Sequence, residues 1–277
     1  MTDQTPLQRH QRSRGDAAVR LRNDAGLPRL AELRQAGSAK AILPRVGAVP
    51  EIVFLNTSGG LTGGDSLSYA VTLDAGLRAT ATTQTAERAY RAGAGTARVD
   101  VTLQVGADAW LDWLPQETIL FDDAALERVT RIDLGPGAGC LALESVVLGR
   151  AAMGETVSRL RFRDRREIWR GDRPLHVEPL HLDAAALAAG AAVLGGARAF
   201  ASLVMVAPGL EDALPALRRV LDEPGVSAAA SSFDGRLTLR AMAQDGWPLR
   251  RQIARALSVL RRGVVLPRVW QFQEKTG

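Results

Sequence analysis

The chain has 277 residues, a net charge of +5 and 46% hydrophobic residues, a composition that excludes a disordered chain and indicates an ordinary globular protein. Its single cysteine, Cys140, excludes an internal disulfide and a multi-cysteine zinc site. The polar segment 1–15 predicts a disordered tail without a secretory signal. A membrane-spanning helix needs about 20 strongly apolar residues in a row, and the sequence contains no such run. We therefore expect a cytoplasmic protein that does not bind membranes.

Alternation of apolar and polar residues predicts β-strands through most of the chain. The clearest case is 97–105, where the alternation runs without a break. Residues 20–22, 67–73 and 128–134 show similar alternation or β-branched enrichment, bounded by Gly, Asp or Pro. These patterns predict a mainly β fold.

An internal repeat links several of these strands. Each copy predicts a strand, a tight turn at a glycine with positive φ, and a returning strand. The copies are 73–79 around Gly76, 103–109 around Gly106, 134–140 around Gly137 and, more weakly, 168–174 around Gly171. Repeats spaced by about 30 residues stack into extended sheets or solenoids, whereas chance recurrence of hairpin patterns is also common in all-β proteins. Both interpretations predict a β-rich fold, and we expect stacked, layered antiparallel sheets in a β-helix-like body over 16–207.

Helical patterns are confined to the C-terminal part. Leu214, Leu217 and Leu221 share a helix face after two acidic residues, Glu211 and Asp212. A second helix is predicted from Pro248 to a stop at Gly263, with an apolar stripe formed by Leu249, Ile253, Leu257 and Leu260. With a strand at 236–242 between them, the two helices predict an α+β portion over 208–270 that packs on the body, followed by a tail at 271–277.

The opposite face of the second helix is rich in arginine: Arg250, Arg251, Arg255 and Arg262. A basic helix is one feature of nucleic-acid-binding modules, but those modules also place aromatic side chains between the charges. Aromatic residues make up only 5% of this chain. We therefore expect no nucleic-acid partner.

Catalytic motifs are not recognisable. The chain has three histidines and no nucleophile elbow of the G-x-S-x-G type. The glycine-rich segment 59–65 ends in Asp65, where a phosphate-binding loop needs a lysine, and a carboxylate there would repel phosphate. We interpret this segment as a tight bend between strands, with Asp65 directed into a polar pocket.

One short segment carries groups that could bind a metal. His176 and Glu178 share a strand face, whereas Pro179 interrupts the strand and His181 falls on the opposite face. Two ligands do not make a metal site, so ordinary surface strand residues are the favoured interpretation. A metal-dependent hydrolase using Glu178, His176 and His181 remains the alternative.

Acidic residues within apolar strands are more informative. Glu144 interrupts the run 141–148, where an unpaired carboxylate is costly to bury. Glu117 lies in 114–121, and Glu155 follows Gly154. Such carboxylates are usually paired with arginine; alternatively, several of them line a hydrated passage for a divalent cation.

Five segments together resemble the urease accessory protein family UreD, also called UreH. They follow in consistent order over about 15–270 and are 59–65, 82–91, 114–121, 144–155 and 267–270. The resemblance implies a non-enzymatic scaffold with a mostly β body and two helices. It implies binding to the helical partner UreF and, through it, to the GTPase UreG, with a dimeric assembly mediated by UreF.

The resemblance further implies that the assembly docks on apo-urease and assists nickel delivery to its dinuclear site through an internal tunnel. No cofactor would be bound stably, and Ni²⁺ would be bound transiently. Asp65 and Glu144 are then the best candidates for tunnel-lining residues, and Glu155 and Glu178 are weaker ones. Leu249, Ile253, Leu257, Arg268 and Trp270 become candidates for partner binding, although the apolar stripe of the helix could equally cover the sheet.

Overall fold

The computed structural model describes residues 12–45, 47–207, 209–210 and 212–271. Strands dominate these residues, and three α-helices accompany them: α1 (Ala184–Ala188), α2 (Ala213–Arg218) and α3 (Gly246–Leu260). The strands are β1 (Arg14–Asp24), β2 (Leu27–Gly37), β3 (Ala39–Ile42), β4 (Glu51–Asn56), β5 (Ser66–Leu73), β6 (Arg78–Thr83), β7 (Glu87–Ala89), β8 (Ala97–Val105), β9 (Trp110–Leu114), β10 (Thr118–Leu120), β11 (Ala124–Leu134), β12 (Gly139–Leu148), β13 (Leu160–Arg170), β14 (Arg173–Asp183), β15 (Ala199–Val206), β16 (Val226–Phe233) and β17 (Arg236–Ala243).

The strands form two sheets that share an apolar core. Sheet A has the order β14-β13-β11-β8-β5-β1-β2, and sheet B has the order β16-β17-β15-β12-β9-β6-β4-β3. The short strand β10 joins β12 to β7 beside sheet B. Inward-facing residues of both sheets, such as Val101 of β8 and Leu111 of β9, are buried in one core. The prediction of a mainly β body with stacked sheets is therefore confirmed.

The predicted antiparallel pairing is wrong for the centre of the body. In sheet A, β5, β8, β11 and β13 pair in parallel, and in sheet B so do β4, β6, β9 and β12. The reason is that each glycine turn carries the chain from sheet A to sheet B instead of back along the same sheet. Each strand–turn–strand unit is thus one coil of a solenoid, and antiparallel pairs such as β1–β2 and β13–β14 lie towards its ends.

The coil corners show why the repeat is visible in the sequence. Gly76, Asp108 and Gly137 have φ values of +71°, +54° and +68° and stack on one another. The N–H of Gly76 donates to Ala107 O at 2.8 Å, and the N–H of Asp108 donates in the same way to Pro136 O at 2.9 Å. The second copy of the repeat is therefore shifted by two residues, because Asp108 takes the left-handed position predicted for Gly106.

The glycine predicted in that corner has a different role. A Cβ atom on Gly106 would lie 2.6 Å from Ala75 N, so glycine permits the close approach of two corners. The fourth predicted copy, around Gly171, forms the antiparallel β13–β14 hairpin within sheet A. It therefore ends the stacking of coils instead of continuing it.

The C-terminal part covers the outer face of sheet B. The predicted second helix corresponds to α3, and the first to the shorter α2; Glu211, predicted at its start, lies outside the described residues. Arg261, just after α3, is buried and donates from Nε to Asp112 Oδ2 at 2.9 Å and from Nη2 to Thr80 Oγ1 at 2.8 Å. This buried ion pair fixes the end of α3 to sheet B.

The predicted tails lie largely beyond what the structure covers. Residues 1–11 and 272–277 are outside the described residues, and β1 already begins at Arg14. Across the described ranges, none of the helices is long and apolar enough to cross a bilayer.

A carboxylate that fixes the loop before β13 provides a test by pH. Asp122 Oδ1 accepts the backbone N–H groups of Arg159 at 2.9 Å and Ser158 at 2.8 Å, and these bonds lower the pKa of Asp122 to about 2. Since this pKa is below its ordinary value, the stabilisation is complete above about pH 4 and is lost as the pH falls towards 2. We expect Asp122→Asn to flatten the fall in unfolding free energy between pH 4 and 2, measured by urea titration.

The matched control is Asp24→Asn, because that carboxylate is half exposed at the tip of the β1–β2 hairpin. It should leave the pH dependence close to that of the unmodified chain. An Asp122→Asn variant with the original pH dependence would contradict the assignment.

Candidate functional site

Two cavities lie one after the other between the sheets. The coil cavity, of about 70 Å³, is lined by β5, β8 and β11 of sheet A and by β9 and β12 of sheet B. The edge cavity, of about 420 Å³, lies between β13 and β14 of sheet A and β15, β16 and β17 of sheet B. Glu144 on β12 lines both cavities. The cavities therefore follow the stacking direction of the coils, with Glu144 at their common wall.

A buried charge cluster surrounds this common wall. Glu144 Oε1 accepts hydrogen bonds from Trp113 Nε1 at 3.2 Å and Thr130 Oγ1 at 3.3 Å. Its Oε2 lies 2.7 Å from Arg128 Nη1. Arg128 also donates from Nε and Nη2 to the two carboxylate oxygens of Asp164, at 2.9 and 2.6 Å. We call Arg128, Glu144 and Asp164 the central charge cluster; its single guanidinium links the two sheets.

The electrostatics of the central charge cluster follow from its burial. Burial raises the pKa of Glu144 above its ordinary value, although the charge of Arg128 opposes this. For Arg128, burial acts against the charged form, but the charges of Asp164 and Glu144 outweigh it and raise the pKa of the guanidinium. Arg128 is therefore a permanent cation, whereas burial disfavours the charged form of Glu144.

A second polar group lines the edge cavity. We call it the edge charge cluster; it consists of the charged residues Arg166, Glu178 and Arg240 and the hydroxyl of Ser202. Ser202 Oγ donates to Glu178 at 2.8 Å, and Arg240 Nη2 donates to it at 2.9 Å. Arg166, which is buried, completes the set with an ion pair to Glu178. Although burial opposes it, the nearby imidazole of His176, the charge of Arg166 and hydrogen bonds from Arg240 and Ser202 lower the pKa of Glu178. This carboxylate is therefore ionised at neutral pH.

Two buried donors indicate that the cavities fit water. Gln116 Nε2 and Arg166 Nε are buried and make no hydrogen bond to the described residues. Gln116 lines the coil cavity, and Arg166 lines the edge cavity. Buried polar groups in folded proteins are almost always satisfied, by water where the protein offers no acceptor. The polar lining of both cavities is therefore suited to hydration.

The other two predicted tunnel carboxylates have local roles. Asp65 accepts the backbone N–H groups of Ser13 and Thr62, both at 2.8 Å, and so fixes the glycine bend against the start of β1. Glu155 accepts the N–H of Arg150 at 3.1 Å and pairs with its Nε at 2.9 Å. Neither carboxylate is among the described residues that line the two cavities. The structure therefore brings Glu144 and Glu178 to the cavities, but not Asp65 or Glu155.

The hydrolase alternative is not supported. His176 Nε2 lies 3.6 Å from Glu178 Oε2, but the oxygens of Glu178 are already occupied by arginine and serine donors. The side chain of His181 is half exposed and lies 3.9 Å from Asp183. In the described part of the chain, no three His, Cys, Asp or Glu side chains form a group that could hold a metal ion.

Four of the five predicted partner-binding residues are buried within this chain. Leu249, Ile253 and Leu257 face the outer side of sheet B, and Trp270 donates from Nε1 to Leu114 O at 2.9 Å. The apolar stripe of α3 therefore covers the sheet, which was the other interpretation of the sequence. Arg268 is exposed, and its contact with a partner stays a prediction.

The sequence interpretation missed the cationic half of the site. Arg128 and Thr130 occupy inward positions of β11, and Asp164 and Arg166 occupy inward positions of β13. The signal was present in the sequence, because these polar residues occupy the alternating positions of each strand that are otherwise apolar and face the core. A charge at such a position predicts a buried ion pair or a polar interior.

The fold and the site define a β-solenoid with buried charges between its two sheets and two cavities that share Glu144 in their linings. The chain belongs to the UreD family: the family model described as "UreD urease accessory protein" matches residues 13–271. The family consists of non-catalytic maturation factors, so this chain is not an enzyme and has a role in urease maturation.

Relatives named "Urease accessory protein UreD" match over nearly the whole chain. The protein of Cereibacter sphaeroides (strain ATCC 17025 / ATH 2.4.3) is 69% identical over 264 residues, covering 94% of this chain and 96% of its own length. That of Paracoccus denitrificans (strain Pd 1222) is 56% identical over 266 residues, covering 95% and 94%. That of Rhizobium leguminosarum bv. viciae is 46% identical over 275 residues, covering 98% and 100%.

Proposed function

We propose that this chain is a cytoplasmic scaffold that docks on apo-urease together with UreF and UreG. In this assembly it passes nickel towards the urease active site through the coil cavity and the edge cavity. The observation that carries the proposal is the position of Glu144, which lines both cavities at the centre of the solenoid. Dimerisation through UreF, with Arg268 in the contact surface of this chain, is part of the same proposal.

The chemistry of the lining suits transit better than storage. Ni²⁺ accepts carboxylate oxygens and water as ligands, and the cavities offer Glu144, which lines both of them, and Glu178, which lines the edge cavity. Each carboxylate is already paired with a buried arginine, Arg128 or Arg166. A cation that approaches must therefore compete with a fixed guanidinium, so its binding is weak and reversible. This agrees with a cargo ion and with the expectation of no stably bound cofactor.

Replacing Glu144 by glutamine tests the passage. Glutamine keeps the shape and the hydrogen-bonding oxygen but removes the charge, while Arg128 keeps its two bonds to Asp164. We expect urease co-expressed with the Glu144→Gln variant to contain severalfold less nickel, measured by mass spectrometry of the purified enzyme. Co-purification with UreF, UreG and urease should be unchanged, because Glu144 is buried.

Glu127→Gln is the matched control, since this carboxylate lies at the surface of sheet A and its ion pairs are long, at 3.5 and 3.9 Å. It should leave nickel loading unchanged. Full nickel loading with Glu144→Gln in an intact complex would remove the passage from the proposal. Failure of the unmodified chain to co-purify with UreF or urease would remove the scaffold role.

A further inference from the structure

A surface beside the edge cavity has an unusual composition. Sheet A ends at β14, whereas β17 and β16 extend sheet B to its own edge. We call the β16–β17 face on the cavity side the shelf. Its exposed or half-buried residues are, in cross-strand pairs, Ser227 and Met242, Ala229 and Arg240, Ser231 and Thr238, and Phe233 and Arg236. The opposite face of these strands packs against the C-terminal helices through residues such as Ala230 and Leu239.

The shelf is basic and lined mostly by small side chains. Strands β16 and β17, described over their full length, contain two arginines and no acidic residue. Arg236 is engaged: it donates to Leu175 O and lies over the Phe233 ring at 4.3 Å. Arg240 is the more accessible charge, with 75% of its side chain exposed. The serine and alanine side chains of β16 allow another chain to approach closely.

Arg240 spans the mouth of the edge cavity. From β17 in sheet B it donates through Nη2 at 2.9 Å and Nε at 3.3 Å to Glu178 Oε1 on β14 in sheet A. The position of the Glu178 side chain does not depend on this contact alone, because Ser202 and the buried Arg166 also donate hydrogen bonds to its carboxylate. Exposed ion pairs contribute little to stability, so the contact with Arg240 is the one that exchanges most readily.

We propose that the shelf is a docking surface for an acidic segment of a protein partner, whose carboxylate takes Arg240 from Glu178 and so opens the edge cavity. Charge complementarity selects this partner, because the shelf offers an accessible guanidinium without a neighbouring carboxylate on its own strands. Opening exposes Glu178 Oε1 towards the mouth of the cavity. The biological role of this opening rests on the proposed function. Access to the cavity itself is measured on the isolated chain, without nickel or urease.

Cysteine labelling measures this access. The native Cys140 is a silent background, since burial raises the pKa of its thiol to about 12. A reporter is introduced as Val146→Cys, which lines the edge cavity and is 1% exposed. The probe is methanethiosulfonate ethylammonium, and the measured quantity is its labelling rate. We expect Arg240→Gln to raise the rate about fivefold, the shift that loss of an exposed ion pair produces.

The matched control is Arg163→Gln, another exposed arginine in an ion pair, at 3.5 Å from Glu127. It should leave the rate unchanged. If Val146→Cys lowers the folded fraction, Leu194→Cys on the loop wall of the same cavity is the second reporter. Equal labelling rates with and without Arg240→Gln, at both reporters, would overturn the proposal.

A second arm tests the acidic partner. The probe is a soluble helical peptide of alternating glutamate and alanine blocks, with glutamine in place of glutamate as its control. The glutamate peptide should accelerate labelling about fivefold in the chain that retains Arg240 and have no effect with Arg240→Gln. Equal effects of the two peptides would overturn the acidic partner, and labelling that rises with protein concentration alone would assign the shelf to a second copy. Neither result depends on nickel loading of urease, so failure here and failure of the passage are distinguishable.

Discussion

Replacing Arg128 by methionine is expected to lower the free energy of unfolding by about 3–5 kcal/mol, the cost of leaving buried charges without their partner. The guanidinium of Arg128 is the shared partner of Glu144, at 2.7 Å, and of Asp164, at 2.6 Å. Methionine fills much of the volume but leaves two carboxylates in the interior. Guanidinium chloride unfolding, followed by circular dichroism, measures the change.

Two further variants separate charge from packing. Arg163→Met, on the exposed face of β13, should change the free energy of unfolding by less than about 0.5 kcal/mol. Adding Glu144→Gln and Asp164→Asn to Arg128→Met should recover part of the lost stability, because the unpaired charges are then removed. An Arg128→Met variant as stable as the unmodified chain would show that the central charge cluster does not hold the sheets together.

Replacing Trp270 by alanine is expected to cost about 3–5 kcal/mol, the usual range for a large aromatic side chain removed from a core. Trp270 is 1% exposed, packs in the core between α3 and sheet B, and donates to Leu114 O. Arg250 lies over its ring at 4.6 Å. Thermal and chemical unfolding of Trp270→Ala measure the loss, and an unchanged unfolding midpoint would contradict this role.

This expectation changes how the partner surface should be mapped. Truncation after Leu266 would remove Trp270 together with Arg268, so weaker co-purification with UreF would report damage to the fold as well as a lost contact. Arg268→Gln is the better variant, because Arg268 is exposed and glutamine places no second carboxylate near the buried Glu51. It should leave unfolding unchanged and, if the proposed contact is correct, reduce the recovery of UreF.

Local patterns predicted the strands well and their pairing badly. The alternation at 97–105 identifies β8 to the residue, because one face of that strand is buried and the other is exposed. A glycine turn between two strands looks the same in sequence whether the chain returns along one sheet or crosses to the other. The choice between them is made by distant contacts, such as the parallel pairing of Val101 with Tyr69 and Thr130.

The same distinction applies to the site. Glu144 was predictable because a carboxylate interrupts an apolar strand, which requires a partner. The identity of that partner was not, because Arg128 lies on the other sheet and is placed by the stacking of coils. The stripe of α3 was ambiguous for a related reason: Leu249, Ile253 and Leu257 form the same pattern whether they cover their own sheet or another protein.

The parallel stacking of coils also sets the dimensions of the interior. The cavities run across the strands, so every additional coil would lengthen a route through the solenoid by one strand spacing, about 4.8 Å. Its width, in contrast, depends on the side chains that face inward from sheets A and B. The length and the width of the interior are thus encoded separately. The number of coils sets the length, and single residues such as Glu144 and Arg128 set the width.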